Sequence, residues 1–455
     1  TTERFQMHEL LRQFGEGQLA QRQAEHAKVR TVHASYYLRF LQERLPAMLG
    51  GRQHEARNEI SNDLDNWRTA WDWAVAQGDV TALAQAAPTL SQFFHMHSRF
   101  QEGASLFAEA LRSIDQAPPS VARTQAWATL SALLGWLYLR NTRFQEAQSL
   151  LEQSVEYHRQ TNHSPALGLG TDPRLVLGIL TLLNGQYTQA AELANEALAT
   201  SQRNQQPWNE LFAWNLLGFA HVGNGNIALA QQAIQTAISL AERQGERWFV
   251  AYLFKQLGNV AMIQQETTAA LHSFERSYAH HQEFGDQEGM AGTLNNWGDI
   301  ELQLGRRTEA QQHFQQALRL YQIYQDKGGL HGTYSRLGYV AMLGGDSETA
   351  RRYLHHALEL ATQHTTNIIT LMTLARISEL LLQVQAVEQS IAALAYVYDH
   401  PASDPRTQQL ITALLDKARA ATTPSHFQSV YAASQKTNFS TLSVTLLHSL
   451  STPFT

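Results

Sequence analysis

Three histidine pairs, His95-x-His97, His280-His281 and His355-His356, carry the side chains of this chain best suited to hold a metal. A zinc site needs three or four converging ligands, and neighbours on a helix point about 100° apart, so the pairs are read as solvated helical surface. Gly168-x-Gly170 lacks the third glycine of a dinucleotide fingerprint. Asp172-Pro173 behind it has the chemistry of a helix start, so the segment is read as a loop leading into a helix. There is no Gly-x-Ser-x-Gly, no His-Glu-x-x-His and no Gly-x4-Gly-Lys-Ser/Thr, and no lysine directly follows a glycine. Carboxylates are plentiful, but no sequence feature pairs them in a pocket. Catalysis, metal ligation and a cofactor held by this chain are therefore not expected.

Bulk properties narrow the partners. A net charge of −6 over 455 residues argues against a phosphate-backbone binder, which needs a basic face. No apolar run reaches 18 residues and no signal peptide is present, so neither a membrane nor nucleic acid is expected as a partner. The absence of cysteine fits a reducing, cytoplasmic compartment. Hydrophobic residues make up 44%, enough for a continuous core. Thr1 is not a natural start, and the chain is expected to be a piece of something longer.

The elements that must position any site repeat. Gly218, Gly258, Gly298 and Gly338 stand 40 residues apart, each followed twelve residues later by Ala230, Ala270, Ala310 or Ala350. Gly178 with Ala190, and Gly135 with Ala147, extend the series backwards. The residue before each glycine is large and apolar, and sixteen residues after it come Leu151, Ala194, Ile234, Phe274, Phe314 and Leu354. Small residues at both the Gly and Ala places let two helices of a hairpin touch, and the large neighbours fill the groove beside them. Turn glycines recur as Gly185, Gly225, Gly305 and Gly345, with Thr142 and Gln265 breaking that rule. The fold class is thus an all-α helical solenoid of about seven or eight hairpins, and solenoids are mostly binding surfaces.

The hairpins are expected near 81–115, 125–160, 168–202, 208–243, 248–283, 288–323, 328–363 and 368–400. Ser91 with Gly103, and Ser378 with Ser390, take the Gly and Ala places in the worn end units. Helices are also expected over 3–20, 21–49 and 55–77 before the array, and over 405–421 and roughly 424–448 after it. The chain then divides into 1–20, a linker at 21–80, the array at 81–400 and a C-terminal cap at 401–455.

The Leu-Gly pattern with Gly at +7, an aliphatic or aromatic at +9 and Ala at +12 and +19 resembles the tetratricopeptide repeat (TPR), most cleanly at Tyr187, Ala190, Ala194 and Ala197. These units are about six residues longer than the usual 34, which adds roughly 9 Å of helix per hairpin. Arg4-Phe5-Gln6-Met7-His8-Glu9-Leu10-Leu11 resembles the end of the winged-helix domain in STAND signal-transduction ATPases. There a Met-His-Asp motif contacts the phosphates of ADP; Met7 and His8 match, and Glu9 replaces Asp. Asp63 to Ala74, closing with Gly78-Asp79, resembles that family's link to its repeats, and Phe427 to Leu447 its closing helices. The resemblance implies an upstream nucleotide-binding domain that holds ADP or ATP and touches this chain intramolecularly, with His8 relevant only in that parent protein.

In TPR proteins the first helix of each hairpin lines the concave groove, through residues at −6, −3, +1, +4 and +5 from the key glycine. Carried onto this chain, the resemblance implies a groove of Phe212, Asn215, Phe219, Tyr252, Lys255, Asn259, Asn295, Asn296, Asp299, Ser335 and Tyr339. Apolar area beside amide groups suits a peptide. Lys255, Asn259 and Asn296 hold the places of a Lys and two Asn that grip a peptide carboxylate in chaperone-binding TPR domains. His331 and Ser335, with Arg336 adjacent, stand where that family has two basic residues. The expected function is a ligand-sensing arm that captures an inducer, a peptide or protein being favoured, and controls the parent ATPase. The competing reading is a free-standing scaffold without a nucleotide switch.

Overall fold

A computed structural model describes residues 9–161, 164–363, 368–400, 403 and 405–451. Among them are twenty-three helices and no strand. α1 (Glu9–Ala20) precedes the linker, which folds as α2 (Gln23–Met48), α3 (Gln53–Asn62) and α4 (Leu64–Gln77). Eight helical hairpins follow. They are α5–α6 (Val80–Met96, Phe100–Gln116), α7–α8 (Val121–Arg140, Phe144–Thr161), α9–α10 (Pro173–Leu183, Tyr187–Arg203) and α11–α12 (Pro207–Gly223, Ile227–Gln244). Then come α13–α14 (Trp248–Ile263, Thr267–Phe284), α15–α16 (Gln287–Gln303, Arg307–Tyr324), α17–α18 (Lys327–Leu343, Ser347–Ala361) and α19–α20 (Ile368–Gln383, Val387–Tyr398). The end is formed by α21 (Pro405–Ala420), α22 (Pro424–Ser434) and α23 (Phe439–Ser451).

Two expected single helices are broken. Residues 55–77 divide at Asp63, which ends α3 and begins α4; its Oδ1 accepts from Asn66 Nδ2 at 3.0 Å. The Ile60 carbonyl at the break accepts from the Asp63 N–H at 3.3 Å and from the buried Trp67 indole N–H at 3.1 Å. The stretch 424–448 divides before Asn438, whose Oδ1 accepts from Thr441 N–H at 2.9 Å at the start of α23.

Turn chemistry follows position rather than residue type. Positive φ recurs every 20 residues from 185 to 345, at Gly185, Gln205, Gly225, Gly245, Gln265, Gly285, Gly305, Gln325 and Gly345, and again at Gln385. Thr142 and Gln265 adopt the same conformation, at φ 61° and 62°, as the glycines they replace. At Gln265 the paired bonds of a Schellman turn are present, Glu266 N–H to Ala261 O at 2.9 Å and Gln265 N–H to Met262 O at 3.1 Å.

The repeated glycine faces the residue sixteen positions later. A Cβ added at Gly258 would meet Phe274 at 2.5 Å, at Gly298 Phe314 at 2.4 Å, and at Gly338 Leu354 at 2.7 Å. Gly178 differs because its +16 residue is Ala194, and Leu216 of the next hairpin takes the space at 2.5 Å. The +12 alanines are fully buried beside this contact. In the worn last unit, Ser390 Oγ donates to Ser378 O at 3.0 Å, so the small pair still touches.

The array closes on itself. The His95 ring of α5 lies 5.0 Å from Trp248 of α13, and Arg140 of α7 forms an ion pair with Glu288 of α15. The loop before α9 is tucked inside, where Ser91 Oγ donates to Leu169 O and Gly168 N–H to Asn209 Oδ1. Asp172 caps α9, as its position before Pro173 predicts. One continuous apolar core runs from Ala34 to Phe284, a second from Met342 to Leu450, and smaller clusters lie between them. The N-terminal half of the groove is thus filled by the chain's own side chains.

Candidate functional site

A cavity of about 330 Å³ opens where α13, α15 and α17 present their inner faces. Lys255, Asn296, Tyr321 and Arg336 line it, with Arg140 and Glu288 as one wall. Beyond that wall a larger cavity of about 880 Å³ is lined by Phe100, Tyr138, Arg143 and Asp326, and again by Arg140 and Glu288.

The floor of the smaller cavity is organised by Asp286, the N-cap of α15. Its Oδ1 accepts from Gly289 N–H at 2.9 Å. Its Oδ2 accepts from the Tyr252 hydroxyl at 2.7 Å and Trp248 Nε1 at 3.0 Å, and His281 Nδ1 lies at 3.1 Å. Burial alone would raise the Asp286 carboxyl; the His281 ring and these donors outweigh it and hold it below the usual carboxylate range. Burial and the adjoining Asp286 carboxylate push the Tyr252 hydroxyl well up, so it stays a donor.

Lys255, one turn along α13, stands 5.0 Å from the Tyr252 ring centroid. Burial, helped by Arg140, lowers its ammonium to about 8 against the pull of Asp286. Arg336 is gripped by both oxygens of Asp299, at 3.0, 3.0 and 2.8 Å. Arg376 donates to Ser335 Oγ at 3.0 Å; burial first, and then the charge of Arg336, lowers it to about 10.

The residues carried over from the repeat pattern separate into three groups. Lys255, Asn295 and Asn296 line the cavity together. Asn295 is bound to the Thr333 hydroxyl at 2.9 Å, whereas the Asn296 amide makes no hydrogen bond among the described residues. Tyr252, Asp299 and Ser335 stand behind the lining, holding Asp286, Arg336 and Arg376.

The third group lies elsewhere. Phe212 is 4% exposed and packs against Trp136, Trp208 and Phe249. Asn215 is buried, and its carbonyl accepts from Gln256 Nε2. Phe219 is exposed but does not line the cavity, and neither does Asn259. Tyr339 is half-buried, with Arg376 over its ring at 5.2 Å. Of the expected groove positions of α11, Phe212 and Asn215 meet the interior, where Trp136 of α7 packs on Phe212. His8 lies outside the described residues.

The reading of the histidine pairs as solvated surface is corrected. His95 and His281 are core residues, His95 stacked on Trp136 and His281 bound to Asp286. His355 and His356 do converge, with Glu359, to within 4.8 Å, on the outside of a single helix.

Sequence reasoning missed Arg140 and Glu288. Arg140 stands at +5 from Gly135, one of the groove offsets, so applying the pattern to the second hairpin would have found it. Glu288 precedes the repeat's lining positions and carries no such signal.

Residues 176–434, more than half of the chain, match the family described as the MalT-like TPR region, and residues 133–206 match the tetratricopeptide repeat. No curated protein sequence matches the chain. A Rap protein complexed with Competence and Sporulation Factor superposes with a TM-score of 0.52 at 11% identity, over 75% of this chain and 100% of that one. NprR in complex with its cognate peptide NprX gives 0.47 at 13%, over 67% and 87%. A STAND protein with a tetratricopeptide repeat sensor from Pyrococcus horikoshii gives 0.44 at 14%, over 73% and 55%. The Rap likeness is one of fold. No helix among the described residues is long and apolar enough to cross a membrane.

Proposed function

The chain belongs to the MalT-like TPR region family, and on that premise we propose that it is the ligand-sensing, autoregulatory arm of a STAND-type ATPase, with a peptide or protein segment as its inducer. The observation that carries the reading is the concave cavity in which Lys255 and Asn296 converge with donors unused. Lys255 forms no ion pair among the described residues, and the Asp286 carboxylate that attracts it is held by other donors, so the site sets an unpaired ammonium beside a free amide. The Rap protein complexed with Competence and Sporulation Factor has a similar fold, which supports a peptide or protein partner. The Met7-His8-Glu9 segment and the Trp-rich stretch around Trp67 support the STAND parentage.

In this reading the chain catalyses nothing and binds no cofactor; ADP and ATP belong to an upstream domain in the cytoplasm, which the arm restrains by direct contact. The inducer must bind the active state more tightly, and moving a 1:99 equilibrium to 99:1 takes about 5.5 kcal/mol of differential affinity. The test uses the parent protein and its nucleotide exchange. Lys255→Glu is expected to abolish the response to inducer, with a lowered melting temperature because it sets another carboxylate near Asp286 and Glu288, while Arg319→Glu, on an exposed outer position of α16, leaves the response intact. A response lost in Arg319→Glu and retained in Lys255→Glu would place recognition outside the groove.

A further inference from the structure

Arg140 ends α7 in the second hairpin, and Glu288 lies in the first turn of α15, which opens the sixth. Both residues line both cavities, so their ion pair is the partition between them. The guanidinium sits over the Phe100 ring, 4.8 Å from its centroid, and 5.8 Å from that of Trp136, which strips part of its water. Neither end is saturated, because Arg140 Nε and Glu288 Oε2 are buried without a protein partner. A desolvated pair of this kind gains little net stability, so another anion with better geometry can replace the carboxylate.

The cavity's other charges make such an anion welcome. Arg336 is bound by Asp299, and Asp326 caps α17 by accepting from Gly329 N–H at 3.1 Å. Lys255 makes no ion pair among the described residues, the Asp286 carboxylate that attracts it being already engaged by Tyr252, Trp248 and Gly289, and Gly292 makes room for it: a Cβ there would stand 3.1 Å from Lys255 Nζ. On the far side, the continuous core ends at Phe284, and α15 and α16 pack through smaller clusters. The Arg140–Glu288 pair is therefore a polar tie between two parts of the array that belong to separate apolar clusters.

We propose that this pair is an exchangeable clasp: a carboxylate of the inducer takes the place of Glu288 on Arg140, with Lys255 as its second cation, and α15 is released from α7. The inference rests on the concave-site reading and adds to it a ligand class, a peptide bearing a carboxylate, and a link from capture to shape. Charge pairing is kept through the exchange. One carboxylate arrives, Lys255 gains a counter-ion, and Glu288 turns toward the larger cavity, where water rehydrates it.

The chain contains no cysteine, so Gln148→Cys and Gln311→Cys, at exposed positions on the outer helices of the same two hairpins, carry one spin-label pair without background. The peptide Ala-Ala-Glu with a free C-terminus is expected to bind and lengthen the label distance, and Ala-Ala-Gln amide to bind at least about tenfold more weakly. Arg140→Gln should weaken the acidic probe roughly 10–100-fold. Glu288→Gln should do the opposite, tightening the probe and lengthening the distance before any is added. A merely structural role would move both variants the same way. Arg140→Lys, which keeps the charge, should recover part of the affinity and guards against a fold lost in Arg140→Gln. Succinate separates the sources of the carboxylate: affinity equal to the peptide's assigns the clasp to small acids, weaker affinity to a peptide, and either supports the exchange. Equal binding of acidic and amidated peptides, or an unchanged distance at saturation, overturns the clasp and leaves the concave site standing. No binding of any of the three probes, with an unchanged distance in Glu288→Gln, overturns both.

Discussion

Gln53 and Glu246 join the linker to the middle of the array across 193 residues of sequence, the Gln53 amide donating to the buried Glu246 carboxylate. The same side chain accepts from the backbone N–H groups of Arg247 at 3.2 Å and Trp248 at 3.1 Å, and also donates to Met48 O. One glutamine thus staples the α2–α3 turn to the start of α13, and beside it His54 stacks on Phe284 at 4.4 Å. Gln53→Ala removes a donor from a buried carboxylate and the acceptor of the Arg247 N–H, while the Trp248 N–H keeps Glu246 Oε1 at 3.1 Å, which should cost about 1–3 kcal/mol. Urea unfolding checks the loss. Faster proteolysis at the α2–α3 turn in the variant would show that the linker has come free; unchanged cleavage and an unchanged midpoint would remove the staple from the account.

Acid should destabilise the protein through His95. Burial, with the field of Arg140, lowers this imidazole to about 3, so between its unfolded value of 6.5 and that folded value the unfolded chain binds the extra proton. Stability is therefore expected to rise with pH through that window and to be lost as pH falls through it. His97, lowered to about 4 chiefly by burial, acts in the same direction. Glu246, which burial pushes up to about 7 despite its donors, acts in the opposite one: its contribution is present below 4.5 and is lost as pH rises through 7. His95→Phe keeps the stacking on Trp136 and should flatten the acid limb of the melting profile measured from pH 3 to 6.5. An unaltered limb would assign acid sensitivity elsewhere.

Lys255 predicts a different pH dependence, that of binding. Because its ammonium loses the proton near 8 rather than 10.5, affinity for an anionic probe should fall as pH rises through about 8. Lys255→Arg keeps the charge at all these values and should remove the fall. Calorimetry at pH 7 and pH 9 decides it, and a wild-type affinity that does not change between them would detach Lys255 from the anion.

The glycine register can be tested at Gly298. A Cβ there would stand 2.4 Å from Phe314, so Gly298→Ala should cost about 1–3 kcal/mol by overpacking. Phe314→Leu in the same chain should recover part of that cost, and the coupling in a double-mutant cycle reads the contact directly. Additive costs would mean that the two positions do not share the space.

Much of the architecture was present in the sequence because the forces that set it are local. Gly258 and Phe274 lie on the two helices of one hairpin, and the fit between them recurs in five units, so the spacing alone announces two touching helices. The turn at Gln265 obeys the same logic: its left-handed backbone follows from its place in the repeat although glutamine carries no such preference. The breaks at Asp63 and Asn438 escaped, since each rests on a local detail within an otherwise helical run, a cap by Asn438 in one and an Asp63–Asn66 side-chain bond in the other. Lys255 was legible from the −3 offset, and Asn296 because it holds the place of a clamp asparagine on the next first helix. Phe212 illustrates the limit, for its offset marks it as groove lining and yet Trp136 and Phe249 enclose it. Whether one hairpin meets another four units away depends on the small rotation each adds to the next, summed along the array. A repeat pattern specifies the step, and only the folded superhelix brings Arg140 to Glu288 and Gln53 to Glu246.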